Sequence, residues 1–239
     1  MFRAQDDSLY NPRNLFIWFL LAFQGGILNT GGYLAVHRFV SHVTGFATLA
    51  GIKGATFLWI DMWGMLLVPV FFVLGAILSA WSVERRRIKD QNPRYSLVFS
   101  IMLLNLLFIA IFGSLGYFGI FGEPFSYGRD YFLLFMLSFT CGLQNAVITS
   151  ASGSVIRTTH LTGLSTDFGI GMVRIWTTRK NLHKQEVFAS WCRLGIFISF
   201  FLGSLAAAFL FLKVQFFGFF LPVFISLFVA IRLRAIRKL

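Results

Sequence analysis

The chain has 239 residues, of which 57% are hydrophobic and 13% charged, and phenylalanine alone supplies 31. A soluble domain carries about 25% charged residues, so this composition excludes an ordinary soluble domain and makes the lipid bilayer the expected solvent. The net charge of +12 would suggest nucleic acid in a soluble protein; here the basic residues sit between apolar runs, as orientation signals facing anionic headgroups, and no nucleic-acid partner is expected.

The first 14 residues are polar and form an N-terminal tail. The run behind them is long enough to span, so no cleavable signal is expected. A helix needs about 20 apolar residues to cross ~30 Å of hydrocarbon. Six stretches qualify, at roughly Leu15–Val36, Phe57–Val83, Ser96–Phe118, Tyr131–Ile148, Val187–Leu212 and Val214–Ile231. The last two are nearly contiguous, which predicts a tight helical hairpin around Lys213. With the N-terminus in the cytoplasm, every one of the 21 Lys and Arg residues falls inside except Arg38, Lys53, Arg129 and Lys213. That bias places both termini in the cytoplasm. Trp18, Trp59, Trp63 and Trp81 lie near span ends, where interfacial anchors are expected. Cys141 and Cys192 lie inside apolar runs and read as packing residues.

The chain repeats itself. His42-Val-Thr44-Gly45-Phe-Ala-Thr48, running on to Ile52, matches His160-Leu-Thr162-Gly163-Leu-Ser-Thr166, running on to Ile170. Gly26-Ile-Leu-Asn29 matches Gly142-Leu-Gln-Asn145 upstream, and Trp63 and Leu74-Gly75 match Trp191 and Leu202-Gly203 downstream. Each half holds three spans, an odd number, so the second half enters from the opposite face. The predicted fold is all-α, one transmembrane domain of two inverted three-helix repeats, about residues 15–119 and 131–232. Such repeats are found in many secondary transporters, although duplication is also compatible with a purely structural bundle.

With Gly26-x-x-Asn29, Ser41-His42-Val-Thr44-Gly45, Gly142-Leu-Gln-Asn145-Ala and Thr162-Gly-Leu-Ser-Thr-Asp167, the sequence resembles the YoaK family over about residues 15–232. The resemblance implies a bacterial, multi-span inner-membrane protein and supplies no substrate.

Two readings of the His-x-Thr-Gly boxes stand open. Glycines at 45, 51, 54, 153, 163, 169 and 171 interrupt regular helix, and non-helical backbone survives at membrane depth only where protein or water satisfies it. Each box therefore either begins a re-entrant or broken helix, with Thr44 or Thr162 as N-cap, or forms a loop at the headgroups. An exposed helix start carries partial positive charge and suits a polar or anionic solute. The candidate solute-binding set is Asn29, His42, Thr44, Gly45 and Thr48 with Asn145, His160, Thr162, Gly163 and Thr166. The paired histidines suit proton or anion handling. Asp61 and Asp167, with Arg157 and Arg174 beside the second, form either a coupling site or structural ion pairs. Gly195, Ser199, Gly203 and Ala207 line one face of the fifth span at four-residue spacing, for close packing on another helix of the chain or on a second copy in a homodimer.

No phosphate-binding loop, nucleophile elbow or metal-ligand spacing is present, so no cofactor and no enzymatic activity are expected. The leading expectation is a small secondary transporter or channel-like carrier, with a scaffold or partner-binding subunit as the alternative and an intramembrane enzyme on lipid substrates third.

Overall fold

The computed structural model describes residues 12–125, 128–152, 160–177 and 180–236, and every described element is helical. In chain order these are α1 (Pro12–Val36), α2 (Val43–Ala55), α3 (Trp59–Ile88), α4 (Tyr95–Ser114), α5 (Arg129–Ala151), α6 (Leu161–Thr177) and α7 (Lys180–Val214), followed by a 3-10 turn (Gln215–Phe219) and α8 (Phe220–Ile236). Among the described residues, five stretches are long and apolar enough to cross a membrane: Asn14–Val36, Trp59–Ile88, Tyr95–Ser114, Arg129–Ala151 and Glu186–Arg234. The first four correspond to the first four expected spans. α3 runs past Val83 to Ile88 because Glu84 and Arg85–Arg87 are good helix formers that continue the turn into the basic segment.

The fifth stretch holds 49 residues, which as one straight helix would reach roughly 70 Å. It is broken at Gln215, whose φ is 52°. α7 runs alongside α1 in the same direction, since Gly195 meets Phe19 and Gly203 meets Phe23. α8 runs against α1, with Phe16 on Phe228 and Gln24 on Ser226. The chain thus reverses between α7 and α8, but the tight hairpin expected around Lys213 does not form. Among the described residues α7 and α8 make no helix–helix contact, and both pack on α1 and on the 3-10 turn. The cause is bulk: Phe216 and Phe219 of the turn are buried, with Phe216 against Gly113 of α4 and Phe219 against Phe211 of α7, and they hold the arms apart.

Two buried clusters divide the bundle along its length. One, at the end carrying the Arg85–Arg94 segment (the basic end), joins Ile17, Trp18, Val83, Val98, Val147, Leu164, Ile196 and Val229. The other, at the opposite end, joins Val36, Phe46, Met65, Phe118, Tyr131, Phe211 and Phe219. Trp18 belongs to the first cluster and is buried rather than a surface anchor, because its face of α1 is the one shared with Leu21. Trp59, Trp63 and Trp81 are exposed, as an interfacial position requires.

Close helix crossings hold the long helices together. A Cβ on Gly203 of α7 would collide with the Phe23 carbonyl of α1, and one on Gly26 of α1 with the Phe200 carbonyl of α7. The same arrangement joins α3 to α5: Gly75 abuts the Phe139 carbonyl and Gly142 abuts the Phe72 carbonyl. Each glycine stands three residues after a phenylalanine of its own helix, at Phe23, Phe72, Phe139 and Phe200. α3 and α5 are also parallel, with Asp61 beside Tyr131, Val68 beside Ser138 and Arg87 beside Ser150. α1 and α5 are antiparallel, since Gln144 reaches Leu21 and Leu137 lies near Gly32. α4 and α8 are antiparallel too, with Gly113 at Phe216 and Ser100 at Arg234.

Because backbone sits where a side chain would go, Gly203→Leu is expected to lower the melting temperature in detergent by roughly 5–10 °C, the usual range for overpacking a close contact. Gly51→Leu, where nothing lies within 4 Å, is the control and should cause no loss. A thermal melt read by intrinsic fluorescence checks both.

Candidate functional site

The two boxes adopt the same local structure. His42 is the N-cap residue of α2, and its carbonyl accepts from the Phe46 amide at 3.2 Å. His160 directly precedes α6, and its carbonyl accepts from the Leu164 amide at 3.0 Å. Thr48 donates to the Thr44 carbonyl at 3.1 Å, and Thr166 donates to the Thr162 carbonyl at 3.1 Å. Thr44 and Thr162 therefore lie inside their helices rather than at the N-caps, because the helix begins one residue after each histidine; the His42 side chain makes no capping bond. The residue after each box glycine is the anchor, and Phe46 and Leu164 are buried in opposite end clusters.

Each box starts a short helix folded back along the long helix that follows. α2 lies antiparallel to the start of α3, with Gly54 against Met62. α6 lies antiparallel to the start of α7, with Gly171 against Glu186 and Ser190. α5 reaches the basic end at Ala151, whereas His160 lies against the Phe72 ring (6.2 Å between centroids), midway along α3. His42 stacks edge-on to Phe39 and folds over Gly45, where any Cβ would strike its imidazole. A recess of about 140 Å³ beside it is lined by Tyr33, His37, Arg38, Phe39 and Gly45 among others. The second box borders a separate groove of about 230 Å³, with Leu164, Ser165 and Phe168 on one wall and Arg193, Leu194 and Phe197 on the other. His42, Thr44, Thr48, His160, Thr162, Thr166 and Asp167 are exposed, and Gly45 and Gly163 are half-buried.

The asparagines differ in setting. Asn29 is half-buried and accepts from Ser41 at 3.2 Å, which ties the approach to the first box onto α1. Asn145 is buried in α5. Around them runs a belt of buried and half-buried polar groups at mid-bundle. Gln24 donates to Ser226 at 3.0 Å, Asn105 donates to Thr140 at 2.6 Å and to the Met136 carbonyl at 2.8 Å, and Gln144 donates to the Leu21 carbonyl at 2.8 Å. These satisfy the need of a polar side chain in an apolar interior for a partner.

Ion pairs fasten the short helices. Lys53 of α2 meets Asp61 of α3 at 3.2 Å. Glu186 of α7 accepts from Arg193 at 2.8 Å and pairs with Arg174 of α6 at 3.6 Å. Arg174 thus pairs with Glu186 rather than with Asp167, and Arg157 lies outside the described residues. Glu186 was not singled out from the sequence; its signal was the seven-residue spacing to Arg193, which places both on one helix face. Within the small-residue row of α7, Gly195 meets the Phe19 ring, Gly203 meets the Phe23 carbonyl, Ala207 is fully buried and Ser199 is half-buried.

The model of a family described as "Protein of unknown function (DUF1275)" matches residues 17–232, which takes in α2 to α7 whole and most of α1 and α8. The chain belongs to the DUF1275 family. No curated protein and no solved structure matches it. In this DUF1275 chain the match spans both boxes and all four Phe-x-x-Gly elements.

Glu186→Gln would leave Arg174 and Arg193 facing each other. Arg174 is largely exposed, so the loss is set well below that of a fully buried pair, roughly 1–2 kcal/mol. Amide hydrogen exchange across residues 161–177 should rise about tenfold while exchange across residues 43–55 stays unchanged; equal exchange in both variants and segments would show that the carboxylate does not hold α6.

Proposed function

We propose that this DUF1275 protein is a small carrier for a polar or anionic solute, built from two inverted three-helix repeats that cross a bacterial inner membrane six times. The observation that carries this reading is the His-x-Thr-Gly corner, folded identically in the two halves of the chain and anchored in core clusters at opposite ends of the bundle. Support comes also from the pairing of helices. The α1–α7 crossing repeats in the α5–α3 crossing, and α1 opposes α5 as α4 opposes α8. This is the relation a two-fold axis in the membrane plane would generate. The concentration of Arg and Lys at one end orients both termini toward the cytoplasm, and the residues matching the YoaK pattern fit that setting.

In this reading α1 with α7 and α6 forms one unit, and α3 with α5 and α2 forms the other. Their backbone-to-backbone crossings keep each unit stiff. The units rock against each other across the α1–α5 contact, where Gln144 reaches the Leu21 carbonyl and Leu137 lies near Gly32. His42, Thr44 and Thr48 with Asn29 meet the solute from one face, and His160, Thr162 and Thr166 with Asn145 meet it from the other. An exposed imidazole beside a helix start offers a donor and, when protonated, a positive charge. Lys53–Asp61 and Arg174–Glu186–Arg193 hold the two corners to their units during the motion.

Proteoliposomes placed in isotonic solutions of small organic anions, amino acids and polyols swell when a solute enters. At least one such solute is expected to swell protein-containing vesicles faster than empty ones, and His42→Ala and His160→Ala should each slow that swelling about tenfold. Failure of every solute class, or full rates in both variants, would count against the carrier and its site respectively.

A further inference from the structure

The segment between α3 and α4 has a counterpart in the turn between α7 and α8, but the two differ in charge. The second turn carries Lys213 as its one charged residue and, apart from Gln215, is apolar through Phe219. The first encloses a recess of about 200 Å³ lined by Trp81, Ser82, Arg85, Arg86, Lys89, Gln91, Arg94 and Leu97. Four cations converge there and no acid is among the lining residues. Asp90, between Lys89 and Gln91, is exposed and is not part of the lining; Glu84 of α3 is paired with Arg87 at 3.4 Å, and Arg87 turns away to the Ser150 carbonyl. The recess is held in shape from within its own loop. Arg86 donates through Nε to the Asn92 carbonyl at 2.8 Å, the Gln91 amide bonds the Arg86 carbonyl at 2.7 Å, and the Arg94 amide bonds the Ser82 carbonyl at 3.1 Å. Arg85 lies over the Trp81 ring, 4.2 Å from its centroid.

What lies below the recess identifies its occupant. Trp81, Ile77, Leu74, Val70, Leu67 and Trp63 form a continuous exposed apolar stripe on α3. From Trp63 to Trp81 the helix rises roughly 27 Å, close to the thickness of the hydrocarbon layer. Leu97 and Leu104 extend the same surface onto α4. The cations therefore sit at headgroup depth, with an acyl-chain surface running away beneath them and an indole at the boundary.

We propose that this recess binds the phosphate diester of an anionic phospholipid, with its acyl chains lying along α3 and α4. The guanidinium groups of Arg85, Arg86 and Arg94 supply fork-shaped donors for the phosphate oxygens, Lys89 adds a point charge, and Gln91 and Ser82 offer neutral polar contacts at the rim. A zwitterionic lipid lacks the net charge that would compensate four clustered cations. The site is independent of the boxes and of any solute, and it requires only that the chain reside in a bilayer.

The test uses the purified full-length protein in detergent and a thermal melt with added lipid. Phosphatidylglycerol should raise the wild-type melting temperature by several degrees, whereas phosphatidylcholine and inorganic phosphate should not. Arg85→Gln with Lys89→Gln should abolish the increment, and so should Lys89→Glu alone, which leaves the Arg85–Trp81 contact in place. Arg232→Gln with Arg234→Gln removes two charges at the same end of the bundle and should preserve it. Retention of the increment in the Arg85 and Lys89 variants, its equal loss in the Arg232/Arg234 variant, or an equal effect of inorganic phosphate would each overturn the proposal.

Discussion

A carbonyl oxygen of one helix resting where a side chain of another would stand is the contact on which this bundle depends. In lipid, apolar side chains gain little by leaving one hydrocarbon surface for another, so close packing must supply the attraction between helices. Glycine permits that approach, and the Phe carbonyls of α1, α3, α5 and α7 occupy the space it leaves. Weak Cα–H···O contacts add to the dispersion gained at such distances. Each crossing joins a helix from the first half of the chain to one from the second, so the halves interleave and neither makes its principal contact internally.

The position of everything else follows from those crossings. α2 and α6 touch principally α3 and α7, so they ride on the outside of the crossed pairs, each pinned by its own ion pair. α4 and α8 meet on the other side and close the bundle through the phenylalanine-rich turn. Of the amides inside the bundle, Gln144 reaches from α5 to α1 between the crossed pairs, whereas Gln24 ties α1 to α8 and half-buried Asn105 ties α4 to α5. On the carrier reading the α1–α5 contact at Gln144 is the soft layer, and the Gly–Phe crossings are the stiff ones.

Much of this was legible in the chain itself, and the misses have physical causes. Hydropathy measures transfer from water to hydrocarbon, so it located the long helices but carried no information about partners. That is why Trp18, equally at home in lipid or in a core, was read as an anchor, and why the turn at Lys213 was read as a packed hairpin. The paired boxes were visible as letters, yet their start was misplaced by a residue or two, since a Thr after His-x looks like an N-cap whether the helix begins there or just before. Phe-x-x-Gly was hidden by abundance: with 31 phenylalanines in the chain, four recurrences of the pair do not stand out until the contacts are seen. Glu186 was hidden because it precedes the apolar run whose start drew attention away from it.

The equivalence of the two crossings can be measured directly by cysteine cross-linking in the membrane, after replacing Cys141 and Cys192. Phe71 and Phe135 stack across α3 and α5 with ring centroids 4.5 Å apart. If the α1–α7 crossing repeats that geometry, Phe19 and Ser199 occupy the matching positions. A short bifunctional thiol reagent should then join both Phe71→Cys/Phe135→Cys and Phe19→Cys/Ser199→Cys within single chains and at similar rates. Cross-linking of the first pair without the second would contradict the shared crossing, and with it the relation between the halves.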